Sequence, residues 1–231
     1  MPASTKNASV RRTTRAPRSD GAATRQHLLE VAGQLFAERG FADTTSKEIC
    51  ERAGTPMASI NYHFGSREAL YEAALIDAHR QIVGLDELVS AAESGADSRA
   101  KLRAVLSQLV KLSTNGKRPW GFMLMLREVL SPSPAIPALV TKAVRPKAAF
   151  MLALVAEVLG LEPTDAAVQR AVMFVVLPCI AMMIAPKQIQ KTVLPAASKD
   201  VIALSHDYVN FAMGGLEAIA AEHGSRANRT G

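Results

Sequence analysis

The stretch from Thr45 to Glu68 constrains the fold of this chain more than any other part of its 231 residues. Thr45 is followed three residues later by Glu48, the spacing of a capping box, in which a hydroxyl and a carboxylate bind free amides at a helix start. Gly54 is predicted to end that short helix with a positive φ, and Thr55-Pro56 is predicted to begin a second one. Two short helices around a glycine turn predict a helix-turn-helix.

The second short helix is predicted to separate an apolar face from a polar one. Met57, Ile60 and Phe64 follow the i, i+3, i+7 spacing of a face that turns inward. The residues left to face outward or to flank that stripe are Ala58, Ser59, Asn61, Tyr62 and His63.

A distinctive set of residues runs through this stretch and into the next helix: Ala53-Gly54, Ile60, Tyr62-His63-Phe64, Ser66-Arg67-Glu68 and Ala69-Leu70. The set resembles the DNA-binding signature of the TetR family of bacterial transcriptional regulators. The resemblance covers the region from about Thr24 to Leu70. Departures from the usual pattern at Thr55-Pro56, Asn61 and Arg67 are expected to change which bases are contacted rather than whether DNA is bound.

Three residues of the second helix are candidates for base contacts. Asn61 carries an amide that can pair with the N6 and N7 atoms of adenine, and Ser59 can hydrogen-bond to either kind of base edge. Ala58 is small and apolar, which suits contact with a thymine methyl group. Lys47, on the first short helix, is expected to contact a base or a phosphate.

The resemblance implies contacts with the DNA backbone for five further residues: Thr45, Ser46, Tyr62, His63 and Arg67. Such contacts position a protein on DNA, whereas base contacts specify the sequence. Two structural alternatives stay open at this point. His63 can instead cap its own helix, and Tyr62 can pack partly against the helix that precedes the motif.

Composition and periodicity predict an all-α chain. Alternating β patterns are scarce, and long stretches rich in Ala, Leu, Val and Met have helical spacing. We divide the chain into a basic arm predicted to be disordered (1–22), a helix-turn-helix DNA-binding domain (23–67) and a helical effector-binding and dimerisation domain (68–231). A long helix beginning after Ser66 is expected to join the two domains and to extend to about Val89.

Predicted helices fill the rest of the chain. The first runs from Thr24 to Arg39, and residues 90–98 are predicted to form a loop because they are small and polar. The remaining predicted helices are Arg99–Asn115, Pro119–Leu130, Ile136–Leu159 with a possible kink at Pro146, Thr164–Ala185 and Ser198–His223.

Charge is concentrated at the start of the chain. Residues 1–22 carry five basic side chains against Asp20 alone, four of the six net positive charges of the whole sequence. This placement beside the helix-turn-helix suits phosphate contact. A solvated, disordered terminus with no role in binding is the alternative.

No residue pattern indicates a metal, a cofactor or a catalytic site. The sequence has no metal-ligand spacing, no glycine-rich phosphate loop and no nucleophile–base pair, so an enzyme is not predicted. Cys50 and Cys179 are interpreted as small core residues of a cytoplasmic protein. The longest apolar run, Ala171 to Ala185, contains Pro178 and is short for a bilayer, so no membrane contact is predicted.

The last two predicted helices resemble the dimerisation helices of the family. They offer more apolar surface than one packing contact needs, and four such helices from two copies can form a bundle. Gly214-Gly215 would allow close approach of helices, although a local kink is the alternative reading. The residues assigned to the dimer interface are Val172, Val176, Met183, Tyr208, Phe211 and Gly215.

The family's C-terminal helices usually enclose a ligand, and this chain has aromatic and methionine side chains suited to an apolar one. Ordinary core packing is the competing explanation for that stripe. Arg127 can equally pair with Glu128 on the surface. The residues assigned to effector binding are His79, Trp120, Met123, Arg127, Met151, Phe174 and Met182.

Together these features predict a DNA-binding repressor. A homodimer would bind an inverted-repeat operator in double-stranded DNA, and a small, largely apolar effector would release it. The alternative is a DNA-binding interaction protein that is regulated by a protein partner and binds no small molecule.

Overall fold

The computed structural model describes residues 17–115, 119–197 and 199–230, and every regular element in these ranges is helical. The predicted all-α fold is therefore confirmed. A π-helical turn, Val140–Val144, separates α8 from α9. The helices are α1 (Pro17–Arg39), α2 (Ser46–Ala53), α3 (Ala58–Phe64), α4 (Arg67–Ile82), α5 (Leu85–Glu93), α6 (Ser98–Thr114), α7 (Trp120–Leu130), α8 (Ile136–Leu139), α9 (Arg145–Leu159), α10 (Ala166–Ile184), α11 (Lys187–Val193) and α12 (Val201–Thr230).

Helix α1 begins at Pro17 rather than at the predicted Thr24. The predicted arm, residues 1–22, lies outside the described residues as far as residue 16, and its last residues are helical. The sequence between Pro17 and Thr24 has no apolar stripe, so periodicity gave no sign of this first turn.

The helix-turn-helix forms through the local signals in its sequence. The Thr45 amide donates to Oε2 of Glu48 at 2.9 Å, and the Glu48 amide donates to Oγ1 of Thr45 at 3.2 Å, which completes the capping box. Gly54 ends α2 with φ 64°, and the amide of Thr55 reaches back to the carbonyl of Cys50 at 2.9 Å. This pairing is a Schellman motif.

Helix α3 starts at Ala58, so the prediction that Thr55-Pro56 begins it was wrong. The Thr55 amide is already used to close α2, and the Pro56 carbonyl accepts only a turn bond from the Ser59 amide at 2.9 Å. Met57 was also misplaced. Its side chain is 55% exposed, because it precedes the helix and does not share the inward face of Ile60.

The helix that follows Ser66 is shorter than predicted. Ser66 caps it as expected, accepting a hydrogen bond from the Ala69 amide at 3.0 Å. The helix ends at Ile82 because Val83 and Gly84 adopt extended backbone angles, and α5 then fills part of the predicted 90–98 loop. At 1.5 Å per residue, α4 is therefore roughly 24 Å long.

A π-helical turn precedes Pro146, the position of the predicted kink. The amide of Arg145 donates to the carbonyl of Val140, a π-type bond, immediately before the proline. Pro146 has no N–H to donate, which accounts for a departure from the α-helical pattern near this point. The short helix α11 was not predicted, and α12 begins at Val201 rather than Ser198.

The described residues form two hydrophobic cores. The first joins α1, α2, α3 and α4 to α7 and α8, and its fully buried residues include Phe36, Ile49, Ile60 and Leu124. The second lies among α5, α6, α9, α10 and α12. Helix α7 thus belongs to the C-terminal half of the sequence, yet it packs against the DNA-binding helices. Both cysteines are buried and free, which fits their prediction as core residues.

Helix α10 is apolar on nearly every side. Among the described residues it is the one helix long and apolar enough to cross a membrane by length and composition. The prediction that this apolar stretch is too short for a bilayer was therefore wrong. Core helices of folded domains meet the same criterion. Only 28% of its most apolar window is buried, because one side contacts α6, α9 and α12 while Phe174 and Leu177 are exposed on another.

Candidate DNA-binding surface and effector cavity

The recognition helix α3 presents its polar side to solvent. Ile60 is 1% exposed and fixes the helix on the first core, whereas Ala58, Asn61 and Tyr62 are exposed. Ser59 lies at the edge of this face and is partly buried. The three residues assigned to base contacts therefore lie on or beside one open surface.

Tyr62 and His63 form an aromatic pair at the end of α3. Their ring centroids are 4.8 Å apart with an interplanar angle of 81°. Tyr62 is 81% exposed, which argues against the alternative that it packs on α1. Nearby, the guanidinium of Arg25 lies 4.5 Å from the centroid of the Phe64 ring, so α1 brings a further cation to this surface.

The start of α2 offers Lys47 to solvent. Its side chain is 74% exposed and its ammonium lies 3.8 Å from Glu51. The side chain of Thr45 is instead engaged with Glu48 in the capping box. Hydrogen bonds from the Thr45 amide and hydroxyl, together with the charge of Arg39, hold the pKa of Glu48 below its ordinary value.

Arg67 is partly buried and binds the protein itself. Its Nη1 atom donates to the carbonyl of Thr44 at 2.7 Å, and its guanidinium stacks 4.2 Å from the centroid of Phe41. These contacts fix the turn between α1 and α2 to the start of α4. These contacts give Arg67 a structural role. The phosphate contact implied for this residue stays a prediction.

The second half of the chain contains an apolar cavity of about 330 Å³. Its walls come chiefly from α4, α6, α7, α9 and α10. A volume in this range suits a small ligand. Of the residues assigned to effector binding, His79 and Met151 line it, and Met182 lines an adjoining cleft.

The other predicted effector residues lie elsewhere. Met123 is 43% exposed, and Phe174 is 63% exposed on the outer side of α10. Trp120 and Arg127 turn from the cavity toward α1. A helix that is apolar on several sides has no periodic signal for which side faces a ligand, so sequence alone misassigned these residues to the cavity.

Helix α7 is bound to α1 at both of its ends. The indole Nε1 of Trp120 donates to Glu30 at 2.8 Å. Arg127 donates through Nε to the carbonyl of Ala37 and through Nη2 to that of Glu38, both at 2.7 Å. The cation therefore caps the last turn of α1, where free carbonyls and the helix dipole favour positive charge. Arg127 does not pair with Glu128.

A pair of polar side chains, His79 on α4 and Lys147 on α9, lies between these two helices. The ammonium of Lys147 is 2.6 Å from Nδ1 of His79, and both residues line the cavity. Burial and the charge of Lys147 lower the pKa of His79 to about 4, so its imidazole is neutral near pH 7. Lys147 was not predicted, although a lysine after Pro146 in an apolar helix is a signal that was available.

The residues assigned to the dimer interface divide between two surfaces. Val172, Val176 and Met183 line the cavity, because they lie on the inner side of α10. Tyr208, Phe211 and Gly215 line a surface groove between α10 and α12. Exposed apolar side chains surround that groove: Met173, Phe174, Leu177 and Phe211.

No group of three or more His, Cys, Asp or Glu side chains is placed to hold a metal ion in the part of the chain that the structure describes. The functional features are a polar recognition helix at one end and an apolar cavity at the other. A capped helix-turn-helix joined to a helical domain of this kind defines a helix-turn-helix regulator.

Comparison with known proteins identifies the family. The profile described as bacterial regulatory proteins, tetR family, matches residues 28–74. The profile of the C-terminal domain of the HTH-type transcriptional dual regulator CecR matches residues 98–216, more than half of the chain. The chain belongs to the TetR family of bacterial transcriptional regulators.

Individual relatives agree over part of the chain. The chain is 37% identical over 83 residues to the HTH-type transcriptional repressor KstR2 of Rhodococcus jostii, covering 36% of this chain and 40% of that protein. It is 30% identical over 95 residues to the HTH-type transcriptional regulator AcrR of Shigella flexneri, covering 41% and 44%. The chain thus matches less than half the length of these curated relatives.

Solved structures share the whole fold at low identity. A transcriptional regulator from Pseudomonas aeruginosa PAO1 superposes with a TM-score of 0.64 at 16% identity, covering 87% of this chain and 96% of that one. A TetR-family regulator from Streptomyces coelicolor gives 0.59 at 20% identity, covering 86% and 97%. These likenesses bear on the fold alone.

Proposed function

We propose that this TetR-family regulator is a cytoplasmic, homodimeric repressor that binds an inverted-repeat operator and is released by a small, largely apolar effector. The observation that carries the proposal is the position of the cavity. Two of its walls are α4 and α7, and these same helices pack against α1 of the DNA-binding domain. A ligand in the cavity therefore touches the elements that orient the recognition helix.

DNA binding is assigned to the open face of α3 and its surroundings. Asn61, Ser59 and Ala58 contact bases in the major groove, while Lys47 and the Tyr62-His63 pair contact the backbone. A dimer that places two such helices about 34 Å apart contacts two successive half-sites of an inverted repeat. Arg67 contributes chiefly by holding the start of α4 in place.

Dimer formation is assigned to the outer faces of α10 and α12. Phe174 and Phe211 are 63% and 82% exposed, a large apolar area for a monomer surface. An added Cβ at Gly214 or Gly215 would meet nothing within 4 Å, so this side of α12 is open to close approach by another helix. A second copy of the chain would cover both helices in a four-helix bundle.

The proposed switch is a shift between two arrangements of the dimer. A ligand moves such an equilibrium only when it binds one arrangement more tightly than the other. Helices α4 and α7 would carry the difference, since they bound the cavity and hold α1. The ligand-bound arrangement would set the two recognition helices at a spacing that misses successive major grooves.

The test combines DNA binding with ligand screening. Inverted repeats upstream of the gene would be used as duplexes in fluorescence anisotropy, and a compound library would be screened by thermal shift. We expect at least one compound that raises the melting temperature to weaken operator binding as well. Specific operator binding that no stabilising compound alters would contradict the effector role.

A protein partner is the second candidate, and exposed apolar side chains near α11 favour it. Ile189, Val193, Leu194 and Ile202 are each more than half exposed, away from the α10–α12 groove. If a partner regulates the protein, replacing Val193 and Leu194 by serine should abolish regulation in cells without changing operator affinity in vitro. An effector-driven repressor would retain its regulation after the same change.

A further inference from the structure

Building on the proposed effector function, we infer that the effector is an amphipathic anion and that Lys147, with His79, is the subsite for its anionic head. An apolar body fills the remainder of the cavity. The shared chemistry is a single anionic group, a carboxylate or a phosphate, on a hydrocarbon body.

The cavity wall is apolar except for a few polar side chains. Among the described lining residues, polar side chains are limited to His79, Lys147, Ser113 and Cys179, and every other lining side chain is apolar. No lining residue is acidic. The hydroxyl of Ser113 already donates to the carbonyl of Leu109 at 2.7 Å, and burial raises the pKa of the Cys179 thiol. Lys147 therefore supplies the positive charge of this wall.

Lys147 is partly buried, and no carboxylate among the described residues pairs with its ammonium. Its Nζ atom contacts the neutral Nδ1 of His79, and among the described residues it forms no ion pair with a carboxylate. The neighbouring Lys142, by contrast, lies 3.6 Å from Oε2 of Glu72 and is 59% exposed. Both lysines contact α4, Lys142 from the π-helical turn and Lys147 from α9. Of the two, Lys147 faces the cavity and has no carboxylate partner among the described residues.

An uncompensated cation in an apolar cavity is unfavourable. Burial lowers the pKa of Lys147, which is the effect expected when no carboxylate offsets desolvation. A ligand that brings one negative charge removes this penalty, whereas a cationic ligand increases it. The cavity therefore discriminates by charge sign as well as by hydrophobicity.

The position of the pair also connects recognition to the proposed switch. His79 lies on α4 and Lys147 on α9, so their contact joins the helix that follows the DNA-binding domain to the wall of the cavity. An anion that takes up the ammonium competes directly with the imidazole for it. The head group thus acts on the His79–Lys147 contact, in addition to the contacts that the apolar body makes with Ile82 of α4.

The experiment compares four ligands that share one hydrocarbon chain: decanoate, decyl phosphate, decanol and decylamine. Binding to the full chain is measured by calorimetry near neutral pH, below each micelle concentration. The variant Lys147→Met removes the charge and keeps an apolar side chain of similar length. Lys142→Met is the matched control, and Lys147→Gln replaces Lys147→Met if that variant loses its thermal transition.

We expect at least one of the two anions to bind the wild-type protein at least ~10-fold more tightly than decanol, the size of one charge-assisted hydrogen bond. The preference should disappear in Lys147→Met and persist in Lys142→Met. Which anion binds more tightly identifies the head group. Equal or tighter binding of decanol or decylamine, no binding of either anion, or a preference that survives Lys147→Met would overturn the inference.

Release of an operator duplex is recorded separately for each ligand. Release by decanol as effective as release by decanoate would overturn the anionic subsite and leave the effector function standing. Selective binding of decanoate or decyl phosphate with unchanged operator affinity would do the opposite, since the subsite would stand and the effector function would fail.

Discussion

The hydroxyl of Tyr71 donates a hydrogen bond of 2.7 Å to the carboxylate of Glu128, and this contact joins α4 to α7 inside the first core. Glu128 is 1% exposed, and its other oxygen accepts hydrogen bonds from the amide and hydroxyl of Ser133 at 2.8 and 2.7 Å. Burial and the neighbouring carboxylate raise the pKa of Tyr71, so its hydroxyl remains a donor. Two of the helices that bound the cavity, α4 and α7, are therefore held together by a buried polar network.

Replacing Tyr71 by phenylalanine should lower the free energy of unfolding by ~1.5–3 kcal/mol, the value for a hydrogen bond to a charged group. The ring contacts with Phe36 and Phe41 would be retained, so the loss reports the hydroxyl. Urea denaturation provides the measurement. Tyr62→Phe on the exposed recognition helix is the control, and equal stability of the two variants would contradict the network.

The contact between α1 and α7 predicts opposite effects for two glycines of the same helix. A Cβ added at Gly33 would lie 2.4 Å from the Trp120 ring, whereas one at Gly21 would meet nothing within 4 Å. We expect Gly33→Ala to destabilise by ~1–3 kcal/mol through overpacking. Gly21→Ala should stabilise by ~0.5–1 kcal/mol. Thermal unfolding of both variants tests the pair, and a neutral Gly33→Ala would show that α7 is not fixed against α1.

The exposed amide of Asn61 predicts a change in specificity. Asn61→Ala should lose ~1–3 kcal/mol at one base position and relax discrimination there, as measured by selection of binding sites from a random pool. Lys47→Gln should instead weaken binding to all sequences and reduce the salt slope by about 1. A full base preference in Asn61→Ala would remove this residue from the base-contacting set.

Two charged variants of α12 test the proposed dimer interface through their oligomeric state. Phe211→Glu would place a charge within the proposed bundle, and we expect the dissociation constant of the dimer to rise at least ~100-fold. Ile202→Glu lies at the start of the same helix, where the side chain is 84% exposed, and should leave the dimer intact. Sedimentation velocity distinguishes the two results. A Phe211→Glu protein that remains a dimer would place the interface elsewhere.

Local signals in the sequence predicted the helix-turn-helix well. The capping box of Thr45 and Glu48 and the positive φ of Gly54 depend on residues close together in the chain, and both formed as expected. The start of α3 was predicted less well, because the amide of Thr55 was taken by the end of α2. Competition between adjacent helix ends for the same residue is difficult to judge from propensities.

For the C-terminal half, the sequence predicted the helices but not which side of each helix faces the cavity, solvent or another helix. Helix α10 is apolar around its circumference, and the sequence assigned Val176 to the dimer interface and Phe174 to the effector, whereas Val176 lines the cavity and Phe174 is exposed. Trp120 was expected to contact the effector as part of an aromatic and methionine-rich interior, and Arg127 because it interrupts an apolar helix. Their partners, Glu30 and Ala37, are about ninety residues away in the sequence, and only the folded chain brings them together.

The hydrogen bonds from Arg127 to the last carbonyls of α1 bear on how regulators of this kind can be recombined. The first 67 residues of this chain end their own first helix with a side chain supplied from the other half. A chimaera that joins these residues to the C-terminal half of another regulator would retain the recognition helix, but it would keep this cap only if an arginine lay at the equivalent position. The first 67 residues are therefore portable with their first helix fully capped only when the new C-terminal half supplies such an arginine.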